Sequence, residues 1–273
     1  MRLAARLGIR RLGFGILRIS RFFEGAGRGL ACASFTPAEL SALQESEWEA
    51  FGQHGPPEDL QLFVWEVELF TRHIRKQEKI LVVGAGTGRD VLPLVEEGHE
   101  VTALDIAPRA LSTLSEKAKA LGRPVATIHA SVAEAALPPS AFDVVLFSWF
   151  CFGYLRGARE RRAALERCVA ALRPGGRILI SYQPREASDI PPFRALKLGR
   201  LVSRWIGGAE PEPGDAVNVT GSASRPSVFF SHRFAPGDIE TEARAAGLET
   251  VFQGEPASGV GVIVLTGESD PRR

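Results

Sequence analysis

Between Ile80 and Asp90 the chain reads Ile-Leu-Val-Val-Gly-Ala-Gly-Thr-Gly-Arg-Asp. Four aliphatic residues followed by glycines at 84, 86 and 88 describe a buried strand that turns sharply into a helix. Glycine permits positive φ in such a turn and lets a ligand come close to the backbone. The N–H groups of a helix start suit anionic or hydrogen-bonding ligand groups. The pattern also fits a tight turn with no ligand. Asp105 stands 17 residues beyond Gly88, at the end of a second aliphatic run. A carboxylate there can accept two hydrogen bonds from ribose hydroxyls, or cap a helix running from Pro108; its co-occurrence with the glycine turn favours the ribose. Ile106, next in line, is placed to lie against an adenine face. A dinucleotide fingerprint, G-x-G-x-x-G, would need glycine where Arg89 stands, so a nicotinamide-dependent oxidoreductase is the least favoured reading.

A second group of residues could contact an acceptor. After a fourth aliphatic run comes Phe147-Ser-Trp-Phe-Cys-Phe-Gly-Tyr154. An aromatic cluster of this kind suits a small apolar or aromatic ligand, or simply packs in a core, a reading as good for Phe150 and Phe152 but weaker for Trp149 and Tyr154. His232 is the candidate general base, because the chain should re-enter the sheet's active edge there; Tyr154 is the second catalytic candidate. Tyr182, after the fifth strand, is a further substrate-contact candidate. Asp90 fits the first turn of a helix as a dipole partner better than it fits chemistry.

These residues need elements to hold them. Helices are expected over 36–53, where Thr36 and Pro37 supply a cap and a first-turn proline, and over 58–76, with Leu60, Val64, Val67, Phe70 and Ile74 on the buried face. From Lys79 strands and helices alternate: strands at 80–83, 100–104, 125–129, 142–147 and 177–182, helices at 87–97, 108–121 and 156–172. Alternation implies right-handed crossovers and a mostly parallel sheet covered on both faces. A helix at 236–246 precedes two strands, 248–252 and 260–266, whose short connection favours an antiparallel pair. Residues 184–230 interrupt the alternation with Pro184, Pro191, Pro192, Pro211, Pro213 and Pro226 and an amphipathic stretch at 193–206. They read as an insertion over the sheet's carboxyl edge. The organisation expected is an arm and cap at 1–57, a core at 58–183, the insertion as an acceptor lid, and a closing helix and hairpin at 231–273.

Bulk properties narrow the partners. A net charge of +1 over 273 residues offers no global field for nucleic acid. No apolar run is long enough for a membrane span. Cys32, Cys151 and Cys168 lack the spacing of a disulfide framework or zinc site, and the five histidines form no metal-ligand pair, so no metal is expected. These features suit the cytoplasm. The first 28 residues stand apart, with seven arginines against Glu24 alone, interleaved with Leu3, Leu7, Phe14, Leu17, Phe22 and Phe23. They read as a helix packed on the body with its arginines in water, or as a peripheral contact with an anionic membrane.

Val83-Gly-Ala-Gly-Thr-Gly88, Val101-Thr-Ala-Leu-Asp105-Ile-Ala-Pro, Phe142-Asp-Val-Val-Leu and Leu172-Arg-Pro-Gly-Gly176 occur in this order. Together they resemble the successive motifs of the class I methyltransferases that use S-adenosylmethionine (SAM). The resemblance covers residues 58–183 and, by pattern, 232–266. It implies a Rossmann-like, doubly wound, seven-stranded sheet, mostly parallel, with a C-terminal antiparallel hairpin. It also implies SAM as methyl donor, S-adenosylhomocysteine as product, and a cradle of Gly84, Ala85, Gly86 and Gly88. Asp105 would bind the ribose and Ile106 the adenine, with Phe147 and Ser148 on the methyl-transfer side. The family often has an acid after the third strand for the adenine amine; here His129-Ala-Ser131-Val132-Ala-Glu134 departs from that, leaving Ser131 and the Val132 N–H, or Glu134 out of register. There is no Asn/Asp-Pro-Pro-Tyr run and no Pro-Cys pair, which argues against methylation of nucleic acid bases. The activity expected is methyl transfer to O or N of a small apolar or aromatic acceptor. A lipid or quinone acceptor at a membrane surface, or a SAM-binding protein without transfer activity, are the alternatives.

Overall fold

The computed structural model describes residues 2–54, 61–185, 193–222 and 225–267. Two helices open the chain, α1 (Arg2–Ala33) and α2 (Pro37–His54). At the start of α2, Thr36 donates its N–H to Glu39 Oε2 at 2.8 Å and Glu39 returns its N–H to Thr36 Oγ1 at 3.2 Å. This reciprocal cap, with Pro37 in the first helical position, satisfies groups the helix itself leaves unpaired. The order then runs α3 (Val64–His73), β1 (Lys79–Val83), α4 (Val91–Glu96), β2 (Glu100–Asp105), α5 (Pro108–Ala120), β3 (Ala126–His129) and β4 (Phe142–Phe147). A 3₁₀ turn over Cys151–Tyr154 leads into α6 (Gly157–Ala171), β5 (Leu172–Tyr182), α7 (Phe193–Ile206), β6 (Asp215–Ser222) and β7 (Arg225–His232). The chain closes with α8 (Asp238–Ala245), β8 (Leu248–Ala257) and β9 (Val260–Gly267).

Seven strands form one sheet in the order β3-β2-β1-β4-β5-β9-β8. β1 to β5 are parallel neighbours, and β9 runs antiparallel between β5 and β8. This is the Rossmann-like, doubly wound sheet the residue pattern implies. Its closing hairpin is tighter than expected: Ala257 pairs with Val260, and Gly259 takes a φ of 73° in the two-residue turn, a conformation glycine enters without steric cost. Side chains of β1 alternate. Ile80 and Val82 pack with α3, α4 and α5, while Leu81 and Val83 pack with α6 and α8. A central strand apolar on both faces needs helices on both sides. Across one of those layers Arg161 of α6, 2 % exposed, forks onto Glu242 of α8 at 2.7–3.0 Å with its guanidinium 5.4 Å from the Phe234 ring centre.

Three expectations need correction. The helix placed at 87–97 spans only Val91–Glu96, so Pro93 falls in its first turn, where a missing N–H breaks no bond. The helix placed at 58–76 is Val64–His73, and its buried face carries Glu66, Leu69 and Phe70 rather than Val64, which is 77 % exposed, or Val67. An ion pair holds Glu66 inside and so sets the rotation of α3. Leu60, Pro191 and Pro192 lie outside the described residues. Third, the insertion holds a second sheet, β6 paired with β7, beyond the single helix expected there.

The chain divides into two compact units, Met1–Leu43 with Arg185–Ser231, and Gln44–Pro184 with His232–Arg273. In the first, Cys32, Leu40, Val217 and Phe230 form the core. There α7 crosses α1 so closely that a Cβ on Gly199 would lie 2.8 Å from the Gly29 Cα. The second unit carries the seven-stranded sheet and begins within α2, earlier than the expected boundary at 57.

Candidate active site

β1, β2 and β4 end side by side, and strand order reverses at β1, which lies between β2 and β4. In open sheets of this kind the crevice beyond the carboxyl ends at such a reversal is where ligands bind. The turn after β1 lies at its floor. Gly84 and Ala85 donate their N–H groups to Leu104 O at 2.9 and 3.1 Å, and Gly88 donates to Ala85 O at 3.0 Å. Gly86 donates to Asp105 Oδ2 at 2.8 Å. The N–H groups of Gly84, Ala85, Gly86 and Gly88 are thus used inside the protein. What the turn offers a ligand is the bare Cα of Gly86, which has φ 51° and no atom within 4 Å of where a Cβ would sit. Gly84 and Gly88 answer a different need: a Cβ at Gly84 would meet Cys151 Cβ at 2.8 Å, and one at Gly88 would meet Leu114 Cδ1 at 2.5 Å.

Asp105 ends β2. Its Oδ1 accepts the Ala107 N–H at 2.9 Å, which frames the turn into α5 while Ala107 occupies the cap position. Both carboxylate oxygens are thus anchored by backbone donors. Burial pushes the carboxyl up, and the Ala107, Gly86 and Ile106 N–H groups and nearby His129 pull it back down. Two oxygens fixed by backbone donors beside an open Gly86 suit a pair of vicinal hydroxyls. Ile106 is half-buried, and its carbonyl lies 3.0 Å from His129 Nε2. Ser131 begins a turn in which Glu134 and Ala135 donate to its carbonyl; Val132 is buried and Glu134 exposed.

Beside the glycine turn lies a charged network. Arg89 grips Glu66 with Nη1 at 2.7 Å and Nη2 at 2.6 Å, and Glu66 Oε2 also accepts the Phe63 N–H at 2.7 Å. Asp90 Oδ1 lies 2.7 Å from Arg89 Nη2 but without hydrogen-bond geometry, so this contact is an ion pair only. Asp90 Oδ2 accepts a short hydrogen bond from Ser148 Oγ. Burial pushes the Asp90 carboxyl up to about 6; Arg89 lowers it, Glu66 raises it and Ser148 lowers it. Asp90 is thus a buried member of this network, and it stands at the N-cap of α4, where a carboxylate also complements the helix dipole.

The segment after β4 is strained. Trp149 and Phe150 have φ of 29° and 63°, values that cost a bulky L-residue about 1–2 kcal/mol each and that gather at functional sites. The strain presents their rings to a cluster: Phe63 stacks on Trp65 at 6.1 Å, Trp65 on Phe150 at 6.4 Å, and Phe63 meets Trp149 edge-on at 6.3 Å. The Arg89 guanidinium lies 5.0 Å from the Trp149 ring centre. The second half of α2 adds Trp48, 4.9 Å from the Tyr154 ring, Gln44, which donates to Tyr154 O at 3.0 Å, and Glu49, paired with Arg109 at 2.8 Å.

The other anticipated residues divide. Phe147 turns its ring into the core against Phe152, and the Ser148 hydroxyl is committed to Asp90; both bring backbone, not side chain, to the crevice. Tyr182 points away: its ring covers Gly261 of β9 and its hydroxyl accepts from Gln253 of β8 at 3.2 Å, on the side of β5 opposite β4. Its ring also meets Phe234 edge-on at 5.9 Å, which ties it to the His232 side of the sheet. His232 is buried, edge-on to Phe234 at 4.8 Å, and a Cβ on Gly153 would lie 2.8 Å from its carbonyl oxygen. The backbone of His232 thus lies against the 3₁₀ turn that carries Tyr154. Burial raises the Tyr154 phenol far above its ordinary value, so it keeps its proton at neutral pH. Cys151 is no nucleophile either, because burial holds its thiol protonated and Sγ donates to Val83 O at 3.1 Å. Phe63, Trp65, Glu66, Gln44 and Trp48 were not anticipated; the residues that draw them together, Arg89, Trp149, Phe150 and Tyr154, lie far along the chain.

Comparison with known proteins agrees with this geometry. Residues 80–176 match the methyltransferase-domain family. Over 127 residues the chain is 29 % identical to a demethylmenaquinone methyltransferase of Tropheryma whipplei, covering 46 % of this chain and 51 % of that one. Over 154 residues it is 29 % identical to a ubiquinone biosynthesis O-methyltransferase of Idiomarina loihiensis, covering 56 % and 61 %. It spans only about half of the curated relatives it matches. The fold is shared with the 1,6-didemethyltoxoflavin-N1-methyltransferase of Burkholderia thailandensis, solved with its substrate and S-adenosylhomocysteine, at 21 % identity and a TM-score of 0.58 over 86 % of this chain and 91 % of that one. The matched methyltransferase domain at residues 80–176 holds the glycine turn and Asp105, and the seven-stranded sheet around it has the fold of class I methyltransferases that use SAM.

Proposed function

We propose that the protein binds SAM and transfers its methyl group to O or N of a small aromatic or apolar acceptor. The observation that carries this is the Asp105 carboxylate, braced by Gly86 and Ala107 at the mouth of the crevice. Asp105 holds the ribose hydroxyls. The bare Cα of Gly86 admits the ligand to the turn, Ile106 packs on the adenine, and Ser131 with the Val132 N–H meets its polar edge. Bound SAM supplies a methyl group already activated on a sulfonium. The protein's own task is then to hold an acceptor atom in line with it, a positioning effect worth several orders of magnitude. Trp149 and Phe150, backed by Phe63 and Trp65, form a wall that orients a flat acceptor and excludes water. His232 takes the acceptor's proton where one must leave, and Tyr154 donates a hydrogen bond.

A lipid-soluble quinone is the second acceptor reading, favoured by the quinone methyltransferases among the relatives. Cys32, Cys151 and Cys168 form no disulfide, which suits a reducing, cytoplasmic setting. Among the described residues no helix is long and apolar enough to cross a membrane. Calorimetric titration with SAM, S-adenosylhomocysteine and NAD tests the cofactor: binding of the first two alone is expected, and NAD binding in their place overturns the proposal. Transfer of a labelled methyl group to phenol, amine and quinol panels then reads the acceptor class.

A further inference from the structure

The first compact unit exposes two basic amphipathic helices. In α1 every residue from Ile16 to Glu24 is exposed. Leu12, Ile16, Ile19 and Phe23 follow one another at spacings of four, three and four, a single stripe along the helix, and Phe23 is 68 % exposed. Arg18 and Arg21 lie off that stripe. In α7, Gly199 and Ser203 are buried on the side facing α1, while Leu198, Leu201 and Trp205 point outward at spacings of three and four. Trp205 is 87 % exposed, beside Lys197 and Arg204, also exposed. Large apolar side chains in water on this scale mark a surface that something covers.

The charge says what covers it. α1 and α7 carry eleven Lys and Arg and a single acid, Glu24. The whole chain is only +1, so the two helices hold +10 and the remainder −9. We propose that this α1–α7 surface docks on an anionic lipid bilayer, with Trp205, Leu201 and Leu198 of α7 and the Leu12–Phe23 stripe of α1 entering the headgroup boundary while the arginines meet lipid phosphates. A basic helix with an apolar face and an exposed tryptophan has the chemistry of such an interface. Nucleic acid would answer the arginines but leave the aliphatic stripes in water. A second copy could match the four-three spacing of α1 as a coiled-coil seam, but it would set +10 against +10.

The test uses the full chain without SAM, so it reads docking independently of the methyltransferase assignment. Co-sedimentation is measured with vesicles of phosphatidylcholine alone and of phosphatidylcholine with phosphatidylglycerol, beside a determination of oligomeric state. The wild type should partition ~10-fold or more in favour of the anionic vesicles and lose that preference in high salt. Leu201→Glu with Trp205→Glu changes exposed side chains only; thermal melting checks that it folds, and its vesicle binding should fall ~10-fold. Equal binding to both vesicles, undiminished binding by the double variant, or self-association that Ile16→Glu abolishes in a chain that ignores vesicles would each overturn the proposal.

Discussion

Gly86 gives its backbone N–H to Asp105 Oδ2 at 2.8 Å, which makes the glycine turn after β1 and the carboxylate ending β2 one hydrogen-bonded unit. The acid proposed to bind the ribose is therefore also a brace for the turn. Asp105→Ala should weaken SAM binding by about 1–3 kcal/mol, the scale of hydrogen bonds lost to a charged group. Titration calorimetry checks it, and wild-type affinity in a folded variant would remove Asp105 from the site.

The glycines of the turn should separate by substitution. Gly84→Ala drives a Cβ into Cys151 at a φ of 72°, so it should cost stability by more than about 1 kcal/mol. Gly86→Ala meets open space; it should cost about 1 kcal/mol for the left-handed backbone alone yet reduce SAM affinity, because its methyl projects where the ligand approaches. Denaturant melts and titrations on both variants read the split. Equal SAM binding by wild type and Gly86→Ala would mean that the ligand does not reach this Cα.

Asp90 titrates at about 6 in the fold against 3.8 for the free side chain, chiefly through burial. Between those values the folded protein holds a proton that the unfolded chain has released. Stability from this group is therefore highest at low pH, falls as pH rises from about 4 to about 6, and is flat above. The fall is at most about 3 kcal/mol. Asp90→Asn should gain stability relative to wild type across that interval. Urea unfolding of both proteins at about pH 4 and about pH 7 checks the sign; a difference independent of pH contradicts it.

Arg161 and Glu242 join α6 to α8 at 2.7 Å with the arginine almost wholly enclosed. Removing one partner of a buried pair leaves the other charge uncompensated, typically at 3–5 kcal/mol. Glu242→Ala should lower unfolding stability by about that amount, measured by chemical denaturation. A loss under about 1 kcal/mol would show that water reaches Arg161.

Much of this was legible in the residues, and the exceptions have physical causes. Local chemistry read well: the Thr36 cap with Pro37 after it, the glycine turn from strand to helix and the alternation from Lys79 all depend on neighbours a few positions away. Long-range charge pairing did not. Glu66 looks like a solvent-facing residue between Val64 and Val67, and only Arg89, 23 positions on, turns it inward. The packing of Tyr182 is equally long-range: Gly261, 79 positions on, leaves the groove its ring fills, and Gln253 donates to its hydroxyl. The pairing of β6 with β7 was hidden in a proline-rich stretch whose composition signals loops.

The left-handed backbone at Trp149 and Phe150 bears on how the protein can be engineered. Phe150→Gly would relieve about 1–2 kcal/mol of backbone penalty while deleting one ring of the proposed acceptor wall. A library at this position screened for heat resistance alone should therefore enrich glycine and drift toward hardy, poorly selective proteins. The two traits must be selected together if the native acceptor preference is to survive.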